Sequence, residues 1–166
     1  MLDAGDIVPD VTLQMADGSS APISMMLGRT LVLYFYPKDD TSGCTKEAQD
    51  FSSLAAAFEM AGATILGISK DSPAAHGKFI EKHGLKVALA TDGDGSVTEA
   101  FGTWVEKSMY GRKYMGIDRA TFLIDKDGKV VRVWRKVKVP GHAEEVLAAA
   151  SALSSGGSDA PGAATA

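Results

Sequence analysis

The sequence predicts an α/β sandwich in which helices flank a central mixed β-sheet. Two continuously apolar runs, at residues 30–36 and 63–69, are typical of strands buried on both faces. The first run is followed by a segment whose apolar residues recur every three or four positions, as they do on one face of a helix. A strand hairpin and a final helix follow nearer the C-terminus. This order of elements indicates a sheet with both parallel and antiparallel strands.

The N-terminal element is predicted to be a β-hairpin, because strand-like segments at 11–14 and 21–24 flank a cluster of turn residues. Pro73 and Gly84 mark the start and the end of a later helix, and Lys126-Asp127-Gly128 is a strong hairpin turn. The expected order after the first hairpin is a strand at 30–36, a helix at 44–62, a strand at 63–69, a helix at 73–83, a strand at 87–91, a short helix at 96–101, strands at 121–125 and 129–134, and a helix at 142–153.

The composition indicates one globular domain, which we assign to residues 1–153, followed by a low-complexity, flexible tail at 154–166. The net charge of −4, from 17 basic and 21 acidic residues, disfavours nucleic acid as a partner. No apolar run approaches the about 20 residues that cross a bilayer, so no membrane is expected. The absence of a signal-like N-terminus and the lone cysteine, which suits a reducing compartment, predict a cytoplasmic protein.

The lone cysteine, Cys44, lies where a predicted strand ends and a predicted helix begins. A helix N-terminus carries partial positive charge and unpaired N–H groups, which favour a thiolate over a thiol. A lone cysteine in a cytosolic domain is otherwise most often an inert buried thiol. The position therefore indicates a nucleophile, with an inert thiol as the alternative.

The residues around Cys44 carry a specific motif. The run 34–48 contains Pro37-x-x-x-Thr41-x-x-Cys44, and further matching runs lie at 5–10, 104–107, 109–111 and 116–125. On these residues the chain resembles the peroxiredoxins, in particular the bacterioferritin-comigratory or PrxQ group, over about residues 5–150. The resemblance implies a thioredoxin-like fold. It also implies reduction of hydrogen peroxide and organic hydroperoxides by a thiol, through a cysteine sulfenic acid.

Four residues are expected to form the catalytic site. Cys44 is the nucleophile, Thr41 and Arg119 polarise the peroxide, and Pro37 shapes and shields the pocket. A guanidinium stays charged and offers several donors, which suits both a thiolate and a peroxide. Thr41 has an alternative role as a turn or helix-cap hydroxyl, and Arg119 one in a surface ion pair.

Other residues near the motif carry weaker expectations. Glu47 is either a supporting residue of the site or an acidic residue placed by the helix dipole. We expect Asp39 and Asp40 to point to solvent and Phe51 to lie in the core. Trp104 and Tyr110 either flank the pocket or only pack. The three histidines, at positions 76, 83 and 142, are expected on helix surfaces, and no metal, haem or flavin is implied.

The chain departs from the group in its cysteines. Many members carry a resolving cysteine, but its two usual positions are occupied here by Gln49 and Ile80. The sulfenic acid at Cys44 then needs an external thiol, which we expect to be thioredoxin, a glutaredoxin or glutathione. The expected assembly is a monomer or weak homodimer. The alternative function is a thioredoxin-like redox sensor or a holdase or binding protein whose cysteine is not catalytic.

Overall fold

The computed structural model describes residues 2–155 of the chain. Its strands are β1 (Thr12–Met15), β2 (Ser20–Pro22), β3 (Thr30–Phe35), β4 (Ala63–Ser69), β5 (Ala88–Thr91), β6 (Trp104–Met109), β7 (Arg112–Ile117), β8 (Ala120–Ile124) and β9 (Val130–Trp134). Its α-helices are α1 (Ser42–Ser53), α2 (Ala55–Met60), α3 (Pro73–His83), α4 (Ser96–Ala100) and α5 (His142–Ser155).

Seven strands form one mixed sheet in the order β2-β1-β5-β4-β3-β8-β9. The inner strands β3, β4 and β5 run parallel to one another, and β8 pairs with β3 in the antiparallel direction. The N-terminal hairpin β1–β2 joins the sheet through β5. This arrangement confirms the predicted α/β sandwich with a central mixed sheet, and the fold is thioredoxin-like.

The central strand β3 separates two apolar clusters. Its alternate residues Val32 and Tyr34 belong to a cluster that includes Phe51 of α1, whereas Leu33 and Phe35 belong to the other. Side chains alternate between the two faces of a strand, so a strand that is covered on both faces must be apolar throughout. The continuous apolar run seen in the sequence is the direct result of that position.

The structure differs from the prediction at several elements. The strand expected at 21–24 is shorter, since β2 ends at Pro22 and a 3-10 helix follows over Ile23–Met26. The single helix expected at 44–62 is interrupted at Leu54, where α1 ends and α2 begins. The antiparallel pair β6–β7 forms a separate two-stranded sheet where no strand was predicted. Most of its side chains are exposed or half-buried, so it lacks the apolar run that reveals a buried strand. Helix α5 extends to Ser155, and the tail predicted beyond it lies outside the described residues.

Candidate active site

Cys44 lies in the first turn of α1, directly after the loop that leaves the central strand β3. Thr41 is the N-cap residue of this helix, and its carbonyl accepts a hydrogen bond from the Thr45 amide at 2.8 Å. The Cys44 side chain therefore lies at the positive end of a 12-residue helix, and the residue is only 2% exposed. The predicted strand-to-helix position of the cysteine is correct.

Arg119 reaches Cys44 because of the register of the sheet. The residue stands immediately before β8, and β8 pairs with β3 so that Ala120 lies opposite Phe35, the last residue of β3. The end of β3 and the start of β8 are thus neighbours, although the chain separates them by more than 80 residues. Arg119 Nη2 donates a hydrogen bond to Cys44 Sγ at 3.4 Å. A guanidinium at this distance stabilises negative charge on the sulfur.

Glu47 fixes the other arm of the Arg119 guanidinium. Its Oε1 atom accepts a hydrogen bond from Arg119 Nη1 at 2.6 Å, and the residue is 1% exposed. Glu47 follows Cys44 by three positions, so both side chains lie on the same face of α1. Burial raises the pKa of Glu47 to about 7, although the charge of Arg119 acts in the opposite direction. Of the two readings of this residue, the geometry fits a supporting residue of the site.

Gly43 allows the guanidinium to come this close. A Cβ atom at position 43 would lie 3.3 Å from Arg119 Nη2, closer than side chains ordinarily pack. The lack of a side chain at position 43 therefore allows the Arg119 guanidinium to lie close to the backbone beside Cys44.

Thr41 and Pro37 lie in the same loop, on its exposed side. The Thr41 hydroxyl donates a hydrogen bond to the carbonyl of Lys38 at 2.9 Å, as a turn hydroxyl does. To donate to a bound peroxide, this hydroxyl must rotate away from Lys38. The structure is thus compatible with Thr41 as a turn hydroxyl and with Thr41 as a donor to the peroxide. Pro37 lies at the start of the loop, two residues after β3.

The expectation that both loop aspartates point to solvent is wrong for Asp39. Its side chain is buried and contacts Tyr36 and His76. Asp40 is more exposed, as expected, and hydrogen bonds from Lys82 and His83 lower its pKa. Adjacent acidic residues in a polar loop give no sequence signal that one of them turns inward.

The expectation that the histidines lie on the surface is wrong for His76 and His142, which are both buried. His142 Nε2 lies 2.8 Å from the hydroxyl of Thr121. Burial lowers the pKa of His142 to about 4, so its ring is neutral at physiological pH. Both residues lie on the buried faces of their helices, not on the surfaces where they were expected.

The aromatic residues near the motif have different positions. Phe51 lies in the core, as predicted, and stacks on Tyr34 with ring centroids 4.7 Å apart. Tyr110 is 97% exposed at the turn of the β6–β7 pair, so it packs against little. Trp104 is half-buried against the core, and the Lys70 ammonium lies 4.6 Å from its ring centroid. Packing therefore describes Trp104 better than a role in the pocket.

One residue near the site escaped the sequence reasoning. Lys107 on β6 is half-buried, and its burial lowers its pKa while the carboxylate of Asp118 opposes that change. The charges of Arg119 and Cys44 also act on it. Lys107 belongs to the run 104–107 that carries the family resemblance, but neither the run nor its spacing indicated that this lysine lies near the cysteine.

The described part of the chain offers no cluster of three or more histidine, cysteine or acidic side chains that could hold a metal. Between residues 2 and 155, no helix is both long enough and apolar enough to span a membrane.

The sheet, the helix and the arginine place a thiol beside a guanidinium, an arrangement that suits proteins in which a thiolate attacks an electron-poor atom. Two donors from one guanidinium face the sulfur and its supporting carboxylate, which suits a reaction that moves negative charge onto a leaving oxygen. Comparison with known proteins identifies the family.

The sequence matches the AhpC/TSA family over residues 4–133. It is 48% identical over 143 residues to peroxiredoxin Bcp of Xanthomonas campestris, which covers 86% of this chain and 89% of the relative. Peroxiredoxin Bcp of Bacillus subtilis is 46% identical over 146 residues, 88% of this chain and 93% of its own. The structure of Xanthomonas campestris peroxiredoxin Q superposes with a TM-score of 0.86 at 45% identity, covering 92% of this chain and 99% of that one.

The chain therefore belongs to the AhpC/TSA family, and its relatives are peroxiredoxins of the group that the sequence resembles. It is a thiol-dependent peroxidase, an oxidoreductase that uses a peroxide substrate and a thiol reductant. A binding, holdase or sensor protein with an inert cysteine is not favoured.

Proposed function

We propose that Cys44 is the peroxidatic nucleophile and that Arg119, Thr41 and Pro37 complete its site. The thiolate attacks one oxygen of ROOH, the O–O bond breaks, and the other oxygen leaves as ROH after taking up a proton. Sulfur is oxidised to the sulfenic acid Cys44–SOH, and the peroxide is reduced. The observation that carries this proposal is the hydrogen bond from Arg119 Nη2 to Cys44 Sγ at 3.4 Å.

Arg119 stabilises charge at both stages of the attack. Before the reaction its guanidinium faces the thiolate, and during O–O cleavage it can donate to the oxygen on which charge develops. The ion pair with Glu47 holds the planar group in one orientation, so less side-chain entropy is lost when the transition state forms. Glu47 acts through Arg119 and is a positioning residue.

Thr41 and Pro37 act from the loop in front of the helix. The hydroxyl of Thr41 supplies a second donor to the peroxide when it rotates from Lys38. Pro37 has no N–H and fixes its own φ, so it limits both the motion of the loop and the solvation of the site.

The sulfenic acid is reduced by an external thiol in a one-cysteine mechanism. Cys44 is the only cysteine, and the usual positions of a resolving cysteine carry Gln49 and Ile80. An attacking thiol R′SH forms Cys44–S–S–R′ and water, and a second thiol then releases Cys44 and the oxidised disulfide. Thioredoxin, a glutaredoxin and glutathione are the candidate reductants, and a reducing cytoplasm with the protein as a monomer or weak homodimer fits this cycle.

The substrates proposed are hydrogen peroxide and organic hydroperoxides. A structure of the Xanthomonas campestris bacterioferritin comigratory protein concerns its alkyl peroxide reduction activity, and it is 45% identical to this chain with a TM-score of 0.85. That similarity supports the organic hydroperoxides in the proposal.

Stopped-flow mixing of the reduced protein with one equivalent of peroxide tests the proposal. Wild type should consume peroxide far faster than free cysteine, and Cys44→Ser should lose the fast phase. A sulfenic-acid reagent added during the reaction should label Cys44 alone, as detected by mass spectrometry. Consumption no faster than that of free cysteine, or no adduct at Cys44, would overturn it.

A further inference from the structure

A buried chain of three polar side chains ties the β3–α1 loop to α3. The Tyr36 hydroxyl donates to Asp39 Oδ1 at 2.5 Å, and His76 Nδ1 lies 2.8 Å from Asp39 Oδ2. His76 Nε2 donates to the carbonyl of Ala90 at 3.0 Å. His76 is 0% exposed and the Asp39 side chain 6%. Nothing in the proposed catalytic cycle uses these residues, although Asp39 lies in the loop that carries Pro37 and Thr41.

The hydrogen bonds among Tyr36, Asp39 and His76 fix the number of protons that these three side chains share. The Ala90 carbonyl can only accept, so the His76 Nε2 atom carries a hydrogen, and the Tyr36 hydroxyl uses its single proton toward Asp39. One further proton must therefore lie between Asp39 Oδ2 and His76 Nδ1. The pair is neutral overall, whichever atom holds that proton, and this neutrality allows the pair to be buried.

The backbone of Asp39 is anchored as well. Its amide donates to Asp71 Oδ2 at 2.8 Å, and the same oxygen accepts a hydrogen bond from the Ser69 hydroxyl at 2.6 Å. Ser69 ends β4, and Asp71 follows it in the connection to α3. Both the side chain and the main chain of Asp39 are thus held from the β4–α3 side of the molecule.

The burial of Cys44 makes the position of this loop important for catalysis. With Cys44 only 2% exposed, an external thiol cannot attack its sulfur until the loop or the first helical turn moves. The peroxide step, in contrast, needs Cys44, Arg119 and the loop residues in the arrangement that the structure shows.

We propose that Asp39 and His76 are positioning residues that hold the 37–41 loop, and through it the first turn of α1, in the peroxide-reactive arrangement. This inference rests on the proposed function. It predicts opposite effects on the two half-reactions. When the Asp39–His76 contact is lost, oxidation of Cys44 by peroxide slows, whereas reduction of Cys44–SOH by an external thiol is unchanged or faster. A substitution that only disturbed the structure, without this specific role, would slow both oxidation and reduction.

Asp39→Ala and Asp39→Asn form the decisive pair of variants. Alanine removes two hydrogen bonds of the buried chain, and we expect oxidation about tenfold slower. Asparagine preserves both hydrogen bonds without a shared proton, because its carbonyl accepts from the Tyr36 hydroxyl and its amide donates to Nδ1 of a neutral His76. Asp39→Asn should therefore oxidise within about twofold of wild type. Asp127→Asn is the control, since that carboxylate is exposed in the β8–β9 turn, and it should behave as wild type.

Oxidation is measured by stopped flow with hydrogen peroxide, and reduction by mixing the freshly oxidised protein with dithiothreitol. The proposal is overturned if Asp39→Ala oxidises at the wild-type rate, if Asp39→Asn is as slow as Asp39→Ala, or if both half-reactions slow together. If Asp39→Ala does not fold, His76→Phe decides, because it removes the contact with Asp39 and keeps an aromatic ring in the core. Slower oxidation with undiminished reduction supports the proposal, and wild-type oxidation overturns it. A wild-type protein that is not oxidised at Cys44 is a separate result, which refutes the proposed function itself.

Discussion

Replacing Glu47 by glutamine should change the pH dependence of stability in a direction fixed by the site. The pKa of Glu47 rises from 4.5 to about 7 in the folded protein because of burial. Between these values the unfolded chain releases the proton and the folded chain retains it. The contribution of Glu47 to the free energy of unfolding therefore falls as pH rises from 4.5 to 7. A difference of about 2.5 pKa units corresponds to about 3 kcal/mol.

Glutamine has no such proton, so the stability of Glu47→Gln relative to wild type should increase by about 3 kcal/mol from pH 4.5 to pH 7. Subtracting the wild-type free energy of unfolding from that of the variant also removes the contribution of His142, which both proteins contain. Its lowered pKa, from 6.5 to about 4, acts with the opposite sign, because stability is lost as pH falls through that range. The two groups would otherwise partly cancel in the wild-type curve.

Urea unfolding followed by circular dichroism at several pH values gives the required free energies. Glu59→Gln is the control, because Glu59 is an exposed residue of α2 whose ion pair with Arg29 lies at the surface, and this variant should differ little from wild type at every pH. The reasoning fails if the Glu47→Gln difference is constant with pH or decreases. The same variant should oxidise more slowly, by about tenfold, because Arg119 loses its charged partner.

Three further substitutions probe packing around the site. Gly43→Ala places a Cβ atom 3.3 Å from Arg119 Nη2, and a guanidinium displaced by a fraction of an ångström should slow peroxide consumption by about tenfold; an unchanged stopped-flow rate would contradict this. Arg119→Lys cannot contact both Cys44 and Glu47 with one ammonium, so its rate should fall about tenfold or more, and wild-type kinetics would exclude the bidentate role. Gly67→Ala brings a Cβ atom 2.6 Å from Tyr34 Cζ, which should lower stability by about 1–3 kcal/mol in thermal unfolding without directly altering the site; full stability would show that the ring can move aside.

The elements that sequence reasoning located well are those whose signals are local. Helix α3 begins at Pro73 and is followed by Gly84 in the left-handed conformation, with φ of 59°, so its two ends are set by residues with special backbone preferences. The strands β3 and β4 are apolar on both faces because helices and loops cover both. In each case the pattern along the chain already contains the physical cause.

The site was predicted less completely because its contacts are not local. The pairing of Arg119 with Cys44 depends on the register of β8 against β3, which no pattern within either strand specifies. The motif suggested it only through the resemblance to a family. The turn of Asp39 toward His76 depends on a third element, α3, and the sequence of the loop reads as solvent-exposed.

Two buried carboxylates, Asp39 and Glu47, lie on either side of Cys44 in the sequence and are held in different ways. Both side-chain oxygens of Asp39 have a buried partner, Oδ1 the Tyr36 hydroxyl and Oδ2 the His76 ring. Glu47 has one oxygen on Arg119, but within the described structure its Oε2 atom has no hydrogen-bond partner, which leaves it costly to ionise. Burial of Glu47 therefore lowers stability at neutral pH. Its one strong contact is the guanidinium that faces the thiol, so this cost fits the catalytic role that we propose for Arg119.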